Sequence, residues 1–178
     1  MFLRAHLNMR ILCYATLLLM SLTSCVMHEK KPESWAKNLE DCKSIEGTFH
    51  VTGTSNEDAY RPDLSLLLLG VNSPKNATIH LSTSDSELTI ELLSGRVPSK
   101  VGRVDFTCNN GLLAFDPIHE EGFINRGGVA GYENNKIVLG RLSDGALALR
   151  KDSVAAGIIL LIPFAASSQA WYRFENET

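Results

Sequence analysis

From residue 45 the chain alternates. Ile45, Gly47, Phe49 and Val51 fall on one side, and Glu46, Thr48 and His50 fall on the other. A period of two is the signature of a strand with one face buried. The same period returns at 77–82, where Ile79 and Leu81 oppose Thr78, His80 and Ser82, and at 86–94, where Leu88, Ile90 and Leu92 oppose Glu87, Thr89 and Glu91. These two segments predict a hairpin about "TSDS" (83–86). At 102–108 Val104, Phe106 and Cys108 share a side, which aims Cys108 inward.

Turn chemistry divides the rest. "NNG" (109–111) is a tight-turn signal because Asn and Gly tolerate positive φ, and 112–115 returns as its partner strand. Residues 129–133 and 136–142 read as a second hairpin turning at Asn134-Asn135, and "SDG" (143–145) leads into a strand at 146–151. A last strand covers 169–175, and long loops cover 52–63 and 116–128. "LSLLLLG" (64–70) is too short for its period to decide between strand and helix. At 33–42 Trp35, Leu39 and Cys42 recur at helical spacing, which predicts a short N-terminal helix. Eight or nine short strands with turns between them, and no strand–helix–strand alternation, predict an all-β fold. The expected architecture is an antiparallel β-barrel or sandwich.

Two apolar stretches stand outside this pattern. Residues 154–166, "VAAGIILLIPFAA", lie within eighteen uncharged positions from Ser153 to Ala170. Three readings stay open: a central buried strand plus a loop, an exposed apolar loop touching lipid or a partner, and a membrane span. Pro163 and Gly157 weigh against the span. This stretch is also the candidate lining for an apolar ligand. The other stretch is N-terminal. Arg4 and Arg10 precede twelve uncharged, mostly apolar residues (11–22), and small Thr23 and Ser24 follow. That order is an export signal, too short for a spanning helix of about 20 residues.

The segment ends in "LTSC" (22–25), which resembles the lipobox of bacterial lipoproteins: aliphatic, small or hydroxylic, Gly/Ala/Ser, then Cys. The resemblance implies cleavage between Ser24 and Cys25. It also implies a diacylglycerol on the Cys25 sulfur and an acyl chain, such as palmitate, on its new amino group. Residues 1–24 are then a signal peptide, 25–32 a polar tether and 33–178 a single β-rich domain. Val26 stands where Asp marks inner-membrane retention in that family, which implies an outer-membrane lipoprotein facing the periplasm. Thiolate nucleophilicity suits cysteine to this modification.

Of the two remaining cysteines outside the signal core, Cys42 and Cys108 form an even pair in an oxidising compartment. A disulfide is expected there, with two reduced buried thiols as the alternative. The composition, 44% hydrophobic and 21% charged, is that of one globular domain. Both basic residues of the leader precede Cys25 and all the acids follow it. The mature chain is therefore acidic, which excludes nucleic acid as a partner.

The residues offer little catalytic chemistry. His50 and His80 fall on outward strand faces. His119 sits beside Glu120 and Glu121 in a loop without metal-ligand spacing. Asp116 and Glu120 are the only acid–base pair singled out, and a solvated acidic loop accounts for them. No nucleophile elbow, phosphate loop or HExxH helix occurs. Neither a metal nor a cofactor is expected, and the chain reads as a non-enzyme. Two local resemblances remain. "GTF" (47–49) is similar to the lipocalin opening, and "FTCNNG" (106–111) resembles the strand–cysteine–turn of membrane-bound lysozyme inhibitors. The expected function is a membrane-anchored lipoprotein whose β domain binds or scaffolds an envelope protein or an apolar ligand. The loops 52–63 and 116–128 are its expected contact surfaces. The alternatives are an inhibitor of a cell-wall hydrolase, an apolar-ligand carrier with a barrel cavity lined by 154–162, and an envelope enzyme.

Overall fold

A computed structural model describes residues 24–29, 42–55, 60–118, 122–126, 129–159 and 162–177. The chain is all-β, as the alternation predicts, and its strands form two sheets. The smaller sheet is the part most legible in the sequence. Gly47–His50 (β2), Ala77–Ser84 (β4), Glu87–Ser94 (β5) and Val97–Asp105 (β6) pair antiparallel in the order β2-β4-β5-β6. Phe49, Ile79, Leu81, Leu88, Ile90 and Leu92 turn one face inward.

The larger sheet has eight strands. Its path runs Ser24–His28 (β1), Ile162–Phe174 (β12), Leu147–Ile159 (β11), Val129–Arg141 (β10), Leu112–Phe115 (β8) and Thr107–Asn109 (β7). Thr54–Ser55 (β3) pairs with β12, and Gly122–Arg126 (β9) pairs with β10. The proximal halves of β10, β11 and β12 supply Ile137, Leu139, Leu147, Leu149 and Phe174 to the same core cluster as the smaller sheet. Both sheets are open, so the described fold is a sandwich rather than a closed barrel. The chain crosses between the sheets repeatedly, and β3 leaves the smaller sheet between β2 and β4 to pair with β12. The chain passes from β6 to β7 through Phe106, and after β12 the tail runs beside β2, with Glu177 N donating to Thr48 O at 2.8 Å. The Arg141 guanidinium lies 5.4 Å from the Phe49 ring centre and donates to the carbonyls of Ser44 and Glu46, which ties β10 to the entry of β2.

The open reading of 64–70 is decided: residues 64–69 are a helix (α1, Leu64–Leu69), because Asp63 caps its start and Gly70, at φ 66°, ends it. Several expectations need correction. Asn134 and Asn135 do not turn. They lie inside the unbroken strand β10, where buried Asn135 accepts a 2.6 Å hydrogen bond from Ser153 Oγ on β11. A polar side chain satisfied by a neighbouring strand removes the reason to turn. The predicted loop 116–128 contains β9. Cys108 is exposed, because the chain changes sheets at Phe106 and the alternation does not carry across. It is nonetheless bonded to buried Cys42. Cys42 opens a one-turn 3-10 helix (Cys42–Ile45); the rest of the helix expected over 33–42 lies outside the described residues.

The Cys42–Cys108 bond joins the start of the domain to the β7–β8 hairpin across 66 positions. By loop-closure entropy it contributes about 4 kcal/mol. The variant Cys42→Ala/Cys108→Ser should therefore lower the urea midpoint of unfolding by about 2 M at an ordinary denaturant slope. Asp63 offers a separate test. Burial alone would raise its pKa, but hydrogen bonds from Ser73 and Ser65 and from the backbone of Leu66 and Ser73 outweigh it. Its carboxyl is held below the usual carboxylate range. A depressed folded-state pKa stabilises above the unfolded pKa, and the contribution is lost as pH falls through the folded value. Asp63→Ala should cost about 1 kcal/mol near neutrality. That deficit should shrink in acid as the wild-type carboxylate protonates, which urea titrations across pH will measure.

Candidate membrane-contact site

Three strands are longer than the core needs. β10, β11 and β12 each run thirteen residues, paired without interruption from Val129↔Ile159 and Ile159↔Ile162 to Arg141↔Leu147 and Leu147↔Phe174. Only the proximal part lies against the smaller sheet. The distal part is flanked instead by β9 along β10 and by β1 along β12.

The rows of paired residues change character along this arm. Nearest the core come Leu139, Leu149 and Tyr172, then Ile137, Lys151 and Ala170. A polar belt follows: Lys136, Asp152 and Gln169, then Asn135, Ser153 and Ser168. Gln169 Nε2 donates to Asp152 Oδ1 at 2.8 Å, and Arg150 pairs with Asp152 Oδ2 at 2.8 Å while its guanidinium lies over the Trp171 ring. Beyond Glu133, Ala155 and Ala166 the rows on β11 and β12 hold Ala156 and Ala165, Gly157 and Phe164, Ile158 and Pro163, and Ile159 and Ile162. None of these is charged or carries a polar side chain.

The tip is exposed on both faces. Side chains in antiparallel register alternate, so Val154 and Ile158 point one way and Ile159 and Ile162 the other. Their exposures are 58%, 49%, 41% and 61%, whereas Leu147 and Leu149, on β11 with the first three, are fully buried. The buried-strand reading of 154–166 is thereby corrected: 154–159 and 162–166 lie in the paired ends of β11 and β12, and none of them is buried. The barrel cavity imagined for 154–162 is corrected with it. Among the described residues no helix is long and apolar enough to cross a membrane. Gly131 and Gly157 face each other across β10 and β11, and a Cβ on Gly157 would fall 2.3 Å from Ala130 O and 2.6 Å from Gly131 Cα.

Strand β1 sets the second half of the site. Polarity reads 25–32 as a tether; through His28 it is an edge strand instead, parallel to β12, and Glu29 N continues the ladder to Gln169 O at 3.1 Å. Glu29 Oε2 accepts from Trp171 N at 3.1 Å. Cys25 is paired with Ala166 and Ser24 with Ala165, so both residues of the expected cleavage pair sit at the inner limit of the apolar rows. The parallel direction means that the chain enters the sheet from the tip end. No family model, curated protein or solved structure matches the chain.

Other sequence candidates do not converge on this site. His50 is exposed on β2, and His80 shares a 3.1 Å hydrogen bond with Thr48 Oγ1. Asp116 is exposed, and its expected partner Glu120 and neighbour His119 lie outside the described residues. Among the described residues no three His, Cys, Asp or Glu side chains gather as a metal site. The "FTCNNG" segment forms β7 and its turn, with Asn110 at φ 52° and Gly111 at φ 73°, and it presents Asn109 and Asn110 to solvent.

A side chain at position 157 would meet main chain, which cannot move aside as a flexible side chain would. Gly157→Val should therefore force β10 from β11 in the distal half alone, at a cost of about 1–3 kcal/mol. Amide exchange should quicken by roughly tenfold or more at 129–134. The amides of β4 and β5 should remain unchanged.

Proposed function

We propose that this chain is a lipoprotein of the bacterial envelope. It is anchored through Cys25 in the outer membrane facing the periplasm, and its β-sandwich binds or scaffolds another envelope component. The reading starts from the basic-then-apolar leader and its "LTSC" ending. What supports it is position: the cysteine of that box lies in strand β1, paired with Ala166 beside the uncharged rows of β11 and β12. An acylated residue there needs no spanning segment. Each buried methylene contributes about 0.8 kcal/mol, one chain holds only marginally, and two or three on one residue hold durably. Val26 at the following position supports onward transfer to the outer membrane within the lipobox pattern.

Recognition falls to the body of the domain. The disulfide and the two-sheet core fix the loops that leave it, and loops on a rigid scaffold are where binding concentrates. The anchor's contribution is to restrict the domain to a layer beside the bilayer.

Cys25→Ser tests the reading directly. Expression in a Gram-negative host should yield uncleaved precursor without incorporated palmitate, while the wild type gives a membrane-extracted mass equal to residues 25–178 plus its acyl chains. Normal cleavage and unchanged membrane retention in the serine variant would defeat the proposal.

A further inference from the structure

We propose that the tip of the β11–β12 hairpin is a second membrane-contact element. It would enter the headgroup and upper acyl region of the same bilayer that holds Cys25. This rests on the anchor reading above, and it adds an orientation and a second attachment to it.

Three observations point to lipid. First, the apolar rows carry exposed side chains on both faces: Ile158 on one, Ile159 and Ile162 on the other. A partner protein laid on a sheet covers one face, and an alternating strand suffices for that; a sheet end apolar on both sides suits a medium that surrounds it. Secondly, the polar belt of Lys136, Asp152, Gln169, Asn135, Ser153 and Ser168 crosses the sheet below those rows, and Asn134, Ser167 and Glu133 continue it up to them, as at the boundary between water and lipid. Exposed Tyr132 lies one row past Glu133, where an amphipathic ring suits the interface. Thirdly, Cys25 is in the row of Ala155 and Ala166, with four rows from there to Ile159 and Ile162. At about 3.3 Å per residue the tip stands roughly 13 Å beyond the acylated residue. Because a chain cleaved before Cys25 would begin in β1 at this row, no slack separates lipid from sheet. An acylated Cys25 brings the tip to the membrane unless the sheet lies flat.

The same distance limits the depth. Spanning a hydrocarbon core of about 30 Å takes strands of roughly 9–11 apolar residues, and here only four rows are available. Open strand edges also exclude deep insertion, since unpaired main-chain groups have no partners in hydrocarbon. Pro163 adds no donor in this segment. On the flank, Asn125 and Arg126 of β9 stand in the last two rows, level with Ile158 and Ile159, so the inserted sheet must tilt, with its β12 side deeper and its β9 side toward the headgroups.

The test uses the full-length chain, purified from membranes and reconstituted in phosphatidylethanolamine/phosphatidylglycerol vesicles containing brominated lipid. Ile162→Trp is compared with Ser168→Trp, and the fluorescence of the wild-type protein is subtracted from each. Intact mass records acylation in each sample. With bromines near the top of the acyl chain, quenching of the Ile162→Trp protein should exceed that of the Ser168→Trp protein by about twofold or more. Ile158→Asp/Ile162→Asp should transfer between vesicles on the order of tenfold faster than wild type, with its acyl mass unchanged. Acylated protein whose position-162 probe is unquenched overturns the inference and leaves the anchor standing. A missing acyl mass with a quenched probe overturns the anchor and supports tip insertion. A photo-crosslinking residue at 162 that captures protein rather than lipid in whole envelopes also overturns it, in favour of a partner or a second copy.

Discussion

Three strands held in unbroken register for thirteen residues are the constraint on which this molecule depends. A ladder of main-chain hydrogen bonds does not end where side-chain packing ends, so β10, β11 and β12 continue past the smaller sheet. The half of each strand that meets the smaller sheet is buried and sets stability. The other half keeps its backbone bonds and loses its covering layer. Leu149 on the proximal half and Ile159 on the distal half point to the same side of one strand. Only the first has anything to pack on.

The N-terminal strand converts that geometry into an orientation. A flexible tether of eight residues would let a domain tumble some way from its lipid, as random-coil dimensions grow with the square root of length. Pairing of residues 24–28 with β12, extended by Glu29, removes that freedom. If Cys25 is acylated, the sheet is held by its distal end, and the sandwich core, the disulfide and the β2–β6 sheet stand away from the bilayer. Anchor and hairpin then act as one unit with two points of attachment, and the second contact is made at high effective concentration.

The central strands of the smaller sheet, β4 and β5, were legible in the sequence, because each has one wetter face and one buried face, and alternation reports that difference. Strand β6 begins at Val97, five residues before the strand expected at 102–108, because its first residues are exposed and carry no such contrast. The larger sheet was less legible for physical reasons that differ from place to place. Asn134-Asn135 has the composition of a turn, but the partner that satisfies Asn135, Ser153, is distant in sequence. Strand β9 carries no alternation of apolar and polar residues in its sequence, and it exists by pairing with β10. Cys108 was placed on the wrong side because alternation holds only within a strand, and the chain changes sheets at Phe106. Cys25 was found by its motif alone; its place beside the apolar tip required the register of β1 on β12. The stretch 154–166 was visible as an anomaly but not as a hairpin end, since composition does not say which apolar run the core will cover.

An apolar sheet end in water is an aggregation hazard, and the distribution of side-chain size on this arm limits it. Just past the belt stand Ala155, Ala156, Gly157, Ala165 and Ala166, which add little apolar area to either face. On β11 and β12 beyond Ala155 and Ala166, the bulky groups Ile158, Ile159, Ile162 and Phe164 fall in the last three rows, and the Phe164 ring occupies the space that Gly157 leaves open. A broad apolar face along thirteen residues would favour sheet-on-sheet association. Concentrating the bulky apolar groups of β11 and β12 at the end of the arm reduces the area available to another sheet while retaining what a bilayer, entered end-on, can bury. The small residues and the terminal isoleucines are thus two parts of one arrangement: the first keeps the arm thin, and the second restricts its affinity to its end.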